Sequence, residues 1–179
     1  MSRKAPVPMA NDQLAGFLQG ASLAVVLGVG SELRGDDAAG ILVARRLAES
    51  FPARQAGNAG DGSSIGLVAL EGHTSPESMA GKIIKLKPSH VLIVDAAEMG
   101  LSPGGWGMLG RGELDRTMTS THRIPLAALA EHLEESCGCK TGFVGVQTGK
   151  CGVVVGVSEP VLRAIGEISD KIVQIVSEK

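Results

Sequence analysis

Apolar residues follow two rhythms along this chain: short unbroken runs, and stretches in which they recur every three or four positions. Leu23–Val29 is an unbroken run and predicts a buried strand, whereas Ala38–Ser50 spaces Ile41, Leu42, Val43 and Leu47 for one face of a helix. A short strand is expected near Gly66–Leu70. Thr74-Ser75-Pro76-Glu77 then has the form of a helix start, with a hydroxyl cap, a proline in the first turn and a Glu three residues after Thr74. Val91–Val94 is wholly apolar and ends in Asp95, as expected of a central parallel strand buried on both faces. Trp106–Leu109 predicts a short strand, Pro125–Glu135 a helix and Phe143–Gln147 a further strand. The last helix has the clearest pattern: Ser158 stands at its cap, Pro160 suits its first turn, and Val161, Ile165, Ile168, Ile172 and Val176 form a stripe.

Polar, Gly-rich or Pro-rich segments separate these elements. Pro52–Ser64 reads as a loop, Gly100–Gly107 as a gap between strands, and Thr117–Arg123 as a polar connector. Residues 1–22 read as an N-terminal extension whose Leu14, Phe17 and Leu18 pack on the surface of a domain spanning 23–179. Strands alternating with helices imply βαβ units. The expected fold is therefore one α/β domain, a twisted, mostly parallel sheet with helices on both faces in three αβα layers.

Composition narrows this picture. A chain of 179 residues with 44% hydrophobic residues is long enough for one sizeable core and too short for two ordinary domains. With 25 glycines, no Tyr, three Phe and one Trp, that core is aliphatic, which suits close helix-on-sheet packing. A net charge of −2 offers no electrostatic footprint for nucleic acid or an anionic membrane. No apolar run reaches the roughly 18 residues that span a bilayer, and Met1–Ser22 lacks a secretory pattern, so a cytoplasmic protein is expected. Cys137, Cys139 and Cys151 are odd in number, which argues against a disulfide framework. They read as ordinary thiols in or near a loop, the alternative being metal binding or oxidation at Cys137-Gly138-Cys139.

Ligands of open α/β sheets bind beyond the carboxyl ends of the strands, and Gly28–Gly35 lies at such an end. It does not have the glycine spacing of a dinucleotide fingerprint, nor the Gly-Lys-Ser/Thr ending of a P-loop. Asp36-Asp37 would also put negative charge where a pyrophosphate must sit. Asp36, Asp37, Asp95 and His122 instead supply carboxylates and one imidazole, a partial metal site if the fold brings them together. Each has a plain reading too: helix capping worth roughly 0.3–1 kcal/mol for Asp36-Asp37, a strand-end carboxylate for Asp95, a turn histidine for His122.

Four phrases occur in order over one domain: Gly28-Val29-Gly30-Ser31 with Gly35-Asp36-Asp37 and Gly40, then Glu71-Gly72-His73-Thr74-Ser75-Pro76-Glu77, then Leu92-Ile93-Val94-Asp95-Ala96, then Thr121-His122 with Pro125-Leu126. Together they resemble the motifs of the maturation endopeptidases of [NiFe] hydrogenases, and the similarity continues through Gly145-Val146-Gln147 and the final helix. That family removes a C-terminal extension from the hydrogenase large subunit after nickel insertion. The resemblance implies nickel contacts at Asp37, Asp95 and His122, with catalysis of the aspartic type assigned to Asp37 and Asp95. It implies substrate contacts at Gly35, Asp36, Gly72, His73 and Thr121, Asp36 also being the candidate cap of the following helix. The nickel is carried by the substrate, so no tightly held cofactor is expected, and the partner is the nickel-loaded large-subunit precursor. Where relatives often have Asp-Gly-Gly, this chain has Glu71-Gly72-His73, and His73 either crowds the site, adds a ligand or is a loop histidine.

Neutral imidazole and ionised carboxylates are the ligating forms, so recognition is expected to weaken as pH falls. Whether the metal polarises the scissile carbonyl or only positions the substrate stays open at this level. The competing classes are a nucleotide-binding module and a metal-binding accessory protein without protease activity. A general zinc protease is disfavoured because no His-Glu-x-x-His element is present.

Overall fold

The order of apolar runs and helical stripes is carried into three dimensions with few changes. The computed structural model describes residues 10–51, 65–117, 125–149 and 156–178. Its strands are β1 (Leu23–Val29), β2 (Gly66–His73), β3 (His90–Ala97), β4 (Trp106–Leu109) and β5 (Lys140–Gln147). Its α-helices are α1 (Ala10–Leu18), α2 (Ala39–Ser50), α3 (Ala80–Leu86), α4 (Leu114–Thr117), α5 (Leu126–Cys137) and α6 (Glu159–Ser177). The strands form one sheet in the order β2-β1-β3-β5-β4, parallel except for β4, which runs antiparallel to β5 at the edge.

Alternate strand residues face opposite layers, as the period of two requires. Val26 of β1 and Leu92 and Val94 of β3 join the cluster formed with α1, α2 and α6; Val25 and Leu27 of β1 and Val91 and Ile93 of β3 join the one formed with α3 and α5. The expected three-layer αβα fold is the observed one. Because β1 has β2 on one side and β3 on the other, the chain reverses its direction of winding between β1 and β3, the switch point at which open α/β sheets form their ligand crevice.

The N-terminal segment does more than lie on the surface. Leu14 and Leu18 of α1 are fully buried in the same cluster as α6, and Phe17 packs against it. Two helix starts also differ from the sequence pattern. Ser75, not Thr74, precedes the 3-10 turn Pro76–Met79 that leads into α3, and no side chain caps it. Ser158 does stand at the N-cap of α6 but does not cap it with its hydroxyl. The expected loop 52–64 lies outside the described residues, as does all of the expected connector 117–123 after Thr117, which itself ends α4.

Candidate functional site

The start of α2 is seated in the crevice by close backbone contact. A Cβ on Gly40 would stand 2.1 Å from the Val94 carbonyl oxygen and 2.5 Å from that of Val29; one on Gly28 would stand 2.1 Å from the Gly40 carbonyl oxygen. Only hydrogen fits at both positions. Gly30, at φ +134°, is equally constrained, since a Cβ there would lie 1.8 Å from the Asp37 carbonyl oxygen. The Gly-rich turn after β1 therefore serves helix-on-strand packing, which is why it lacks the spacing of a nucleotide loop.

This seating brings two of the expected acidic residues to one edge. Asp37 lies in the 3-10 turn Asp36–Ala38, which packs against β3 and runs into α2. Asp95 lies on β3 directly after Val94, the residue that Gly40 abuts. Both are buried, Asp37 to 3% exposure and Asp95 to 0%, and Asp95 Oδ1 accepts a hydrogen bond from the Ala96 amide at 2.8 Å. By strand alternation Asp95 shares its face with Val91 and Ile93, the side covered by α5. His122 and Thr121 precede α5 and lie outside the described residues.

Asp36 has a different job from the one expected. The N-cap of α2 is Ala38, and no side chain caps either that helix or the 3-10 turn before it. Both Asp36 oxygens are directed across the fold: Oδ1 accepts from the Ser158 amide at 2.7 Å, and Oδ2 from the Gly149 amide at 2.9 Å and the Ser158 hydroxyl at 3.0 Å. Asp36 thus ties the crevice to the segment after β5 and to the first turn of α6, whose positive end favours a carboxylate. In this structure it acts as a tie between these segments.

Gly35, Gly72 and His73 border the same edge. Gly35 is buried and takes a positive φ of 61° between two 3-10 turns. Gly72 is held where a Cβ would meet Leu27 Cδ1 at 3.0 Å, Pro76 Cα at 3.1 Å and the Gly28 carbonyl oxygen at 3.2 Å. His73 also has a positive φ, 49°, and its carbonyl oxygen accepts the Gly30 amide at 3.0 Å. Its ring is 55% exposed, with Nε2 3.6 Å from Glu71 Oε2. That carboxylate is gripped by Arg45 of α2 through Nε at 3.1 Å and Nη2 at 2.6 Å, while Arg45 Nη1 reaches Glu32 Oε1 at 2.5 Å. The Arg45 hydrogen bonds hold the Glu71 carboxyl below its usual range and raise the guanidinium.

Two participants were not singled out from the sequence. Arg45 is one, and its signal was faint, since a charge on the polar side of an amphipathic helix is usually solvated. Gln147 is the other: buried at the end of β5, it accepts the Met99 and Leu101 amides on Oε1 at 2.7 and 3.1 Å, and donates from Nε2 to Glu98 and to the Thr148 carbonyl. A polar side chain closing an apolar strand beside Ala97 of β3 is the same signal that marked Asp95. The thiols stand apart. Cys137 donates to the Leu133 carbonyl, and burial first, with Cys137 beside it, pushes the Cys139 thiol up to about 12; Cys151 lies outside the described residues.

Fold and site define a class: a doubly wound α/β protein with acidic groups gathered at its switch point. The chain belongs to the hydrogenase maturation protease family, whose model matches residues 46–175, and its activity is that of an endopeptidase. Asp95 and His122 fall inside that span and Asp37 before it. The chain is 32% identical to the hydrogenase 3 maturation protease of Escherichia coli K12 over 149 residues, 83% of this chain and 87% of the relative. It superposes on the crystal structure of the [NiFe] hydrogenase maturation protease HycI from Thermococcus kodakarensis KOD1 with a TM-score of 0.76 at 29% identity, covering 92% of this chain and 98% of the other. The solution structure of the endopeptidase HycI from Escherichia coli gives 0.67 at 29% identity, with coverage of 83% and 87%.

Proposed function

We propose that this endopeptidase removes the C-terminal extension of a [NiFe] hydrogenase large-subunit precursor after nickel insertion, and that Asp37, Asp95 and His122 contact the nickel the substrate carries. One observation carries the reading. The three buried acidic side chains among the described residues, Asp36, Asp37 and Asp95, lie on segments at the same, carboxyl edge of the sheet. Burying carboxylates is costly, and concentrating them where α/β sheets bind ligands is what a cation-reading site requires.

His122 fits by connectivity. Because α5 leads into a strand parallel to β3, its first residue, Leu126, lies at the carboxyl edge. A four-residue separation holds His122 Cα within about 14 Å of it. Oxygen and imidazole donors together suit a divalent first-row ion, whose remaining positions are filled by the precursor's own ligands. In the hydrolysis, one of the two carboxylates takes a proton from the attacking water, and the departing peptide nitrogen receives a proton as the bond breaks. Since Asp37 and Asp95 are shielded, the precursor has to open the edge to reach them, which couples docking to activation. The cytosol, where precursor and metal meet, is the proposed location.

The test is incubation of the full chain with nickel-loaded and nickel-free precursor, followed by intact mass. Loss of the C-terminal extension from the loaded form alone is expected. Equal cleavage of both forms contradicts metal reading.

A further inference from the structure

Among the described residues, three large hydrophobic side chains stand in solvent: Leu33 at 79% exposure, Leu162 at 44% and Leu101 at 37%. All three belong to the carboxyl edge of the sheet. Leu33 lies in the turn after β1, Leu101 in the segment after β3, and Leu162 in the first turn of α6, which follows the last parallel strand.

They are also fastened to one another and to the acidic crevice. The turn bearing Leu33 is closed by the Ser31 amide donating to the Asp37 carbonyl at 3.2 Å. Asp36, at the end of that turn, holds Ser158 at the head of α6, four residues before Leu162. The segment bearing Leu101 is held by Gln147 at the Leu101 amide, and its Gly104 packs so closely on α6 that a Cβ would lie 2.4 Å from the Pro160 carbonyl oxygen. Leu33, Leu162 and Leu101 therefore stand on segments tied to one another and to the turn that carries Asp36 and Asp37. Glu32 and Arg34 beside Leu33, and Arg163 beside Leu162, add polar surface, the composition of a protein–protein interface with apolar anchors.

We propose that these three leucines form an apolar rim that docks the protein surface of the large-subunit precursor around its metal-bearing end. The inference rests on the function proposed above. Its physical basis is that the two carboxylates, nearly devoid of accessible surface, offer a macromolecular substrate little binding area. Affinity has to come from surface around them, and among the described residues the large exposed apolar side chains are these three, on segments at the carboxyl edge.

The experiment measures kcat and KM of the full chain on nickel-loaded precursor for Leu33→Asp, Leu162→Asp, their combination and the milder Leu33→Ser. Sedimentation and thermal unfolding are run on each. A roughly tenfold rise in KM is expected for Leu33→Asp, from loss of one buried leucine contact, with a larger rise for the pair. The expected kcat stays within about twofold of the parent, because chemistry is left to other residues. An unchanged KM in the double variant overturns the rim, including the case in which the substitutions only dissociate a dimer of this chain. If the aspartates disturb unfolding, an unchanged KM for a normally folded Leu33→Ser overturns it as well. A parent protein that cleaves no precursor in either metal state defeats the underlying function instead, so the two failures are distinguishable.

Discussion

Asp36 and Asp37 are adjacent and chemically identical, yet their surroundings give them different work. Asp36 accepts three hydrogen bonds from residues more than a hundred positions away, whereas Asp37 sits where the crevice meets the start of α2. Replacing Asp36 by Ala leaves the Ser158 and Gly149 amides without that acceptor, a loss of about 2–3 kcal/mol. Thermal unfolding is expected to show this as a fall in Tm of roughly 4–12 °C. Asp37→Asn keeps the shape and removes the charge. It is expected to retain the parent's circular dichroism and to abolish precursor processing, and processing at the parent's rate would remove Asp37 from the catalytic pair.

At the scale of elements, the join between α1 and the sheet has a titratable group inside it. His90, first residue of β3, is 3% exposed and meets the Phe17 ring of α1 edge-on, with centroids 5.3 Å apart and planes at 82°. Its Nδ1 is 3.0 Å from Ser89 Oγ, its Nε2 has no hydrogen-bond partner among the described residues, and Lys140 of β5 is paired beside it. Burial first, and the Lys140 charge second, hold the imidazole below its ordinary 6.5. In the interval between the folded value and 6.5 the unfolded chain binds more protons, so stability is full above 6.5 and declines as pH falls toward the folded value. A falling Tm between neutral and mildly acid pH is expected, and His90→Leu is expected to flatten that dependence. Identical pH profiles for both proteins would remove His90 as the cause.

For the whole molecule, α1 belongs to the same buried cluster as β1, β3, α2 and α6, so it has no core of its own. Leu14→Ala, at a fully buried position, is expected to cost about 2–5 kcal/mol. The resulting loss is global: far-UV circular dichroism and the fluorescence of Trp106, on the strand β4 that α1 contacts, are expected to report one coincident transition. Separate transitions would show α1 to be an independently melting appendage.

The residue patterns foretold β1, β4 and the stripe of α6 closely, because buried strands and amphipathic helices leave local signatures of period and composition. They also marked Asp37 and Asp95 as candidates, since an acidic group at a strand's end or a helix's start is visible without knowing the fold. What local pattern does not encode is which distant groups meet. Nothing near Asp36 indicated that its partners are Gly149 and Ser158, and nothing near Leu14 indicated full burial, because both depend on how helices close over the sheet. By itself the sequence determined the αβα class, the aliphatic core and the acidic phrases. Only the tertiary structure decided that Asp36 is a tie, that the glycines serve backbone contact, and that Leu33, Leu101 and Leu162 stand exposed on segments at one edge of the sheet. The physical reason is that short-range periodicity records whether a residue is buried, whereas its partners are chosen by packing across the whole chain.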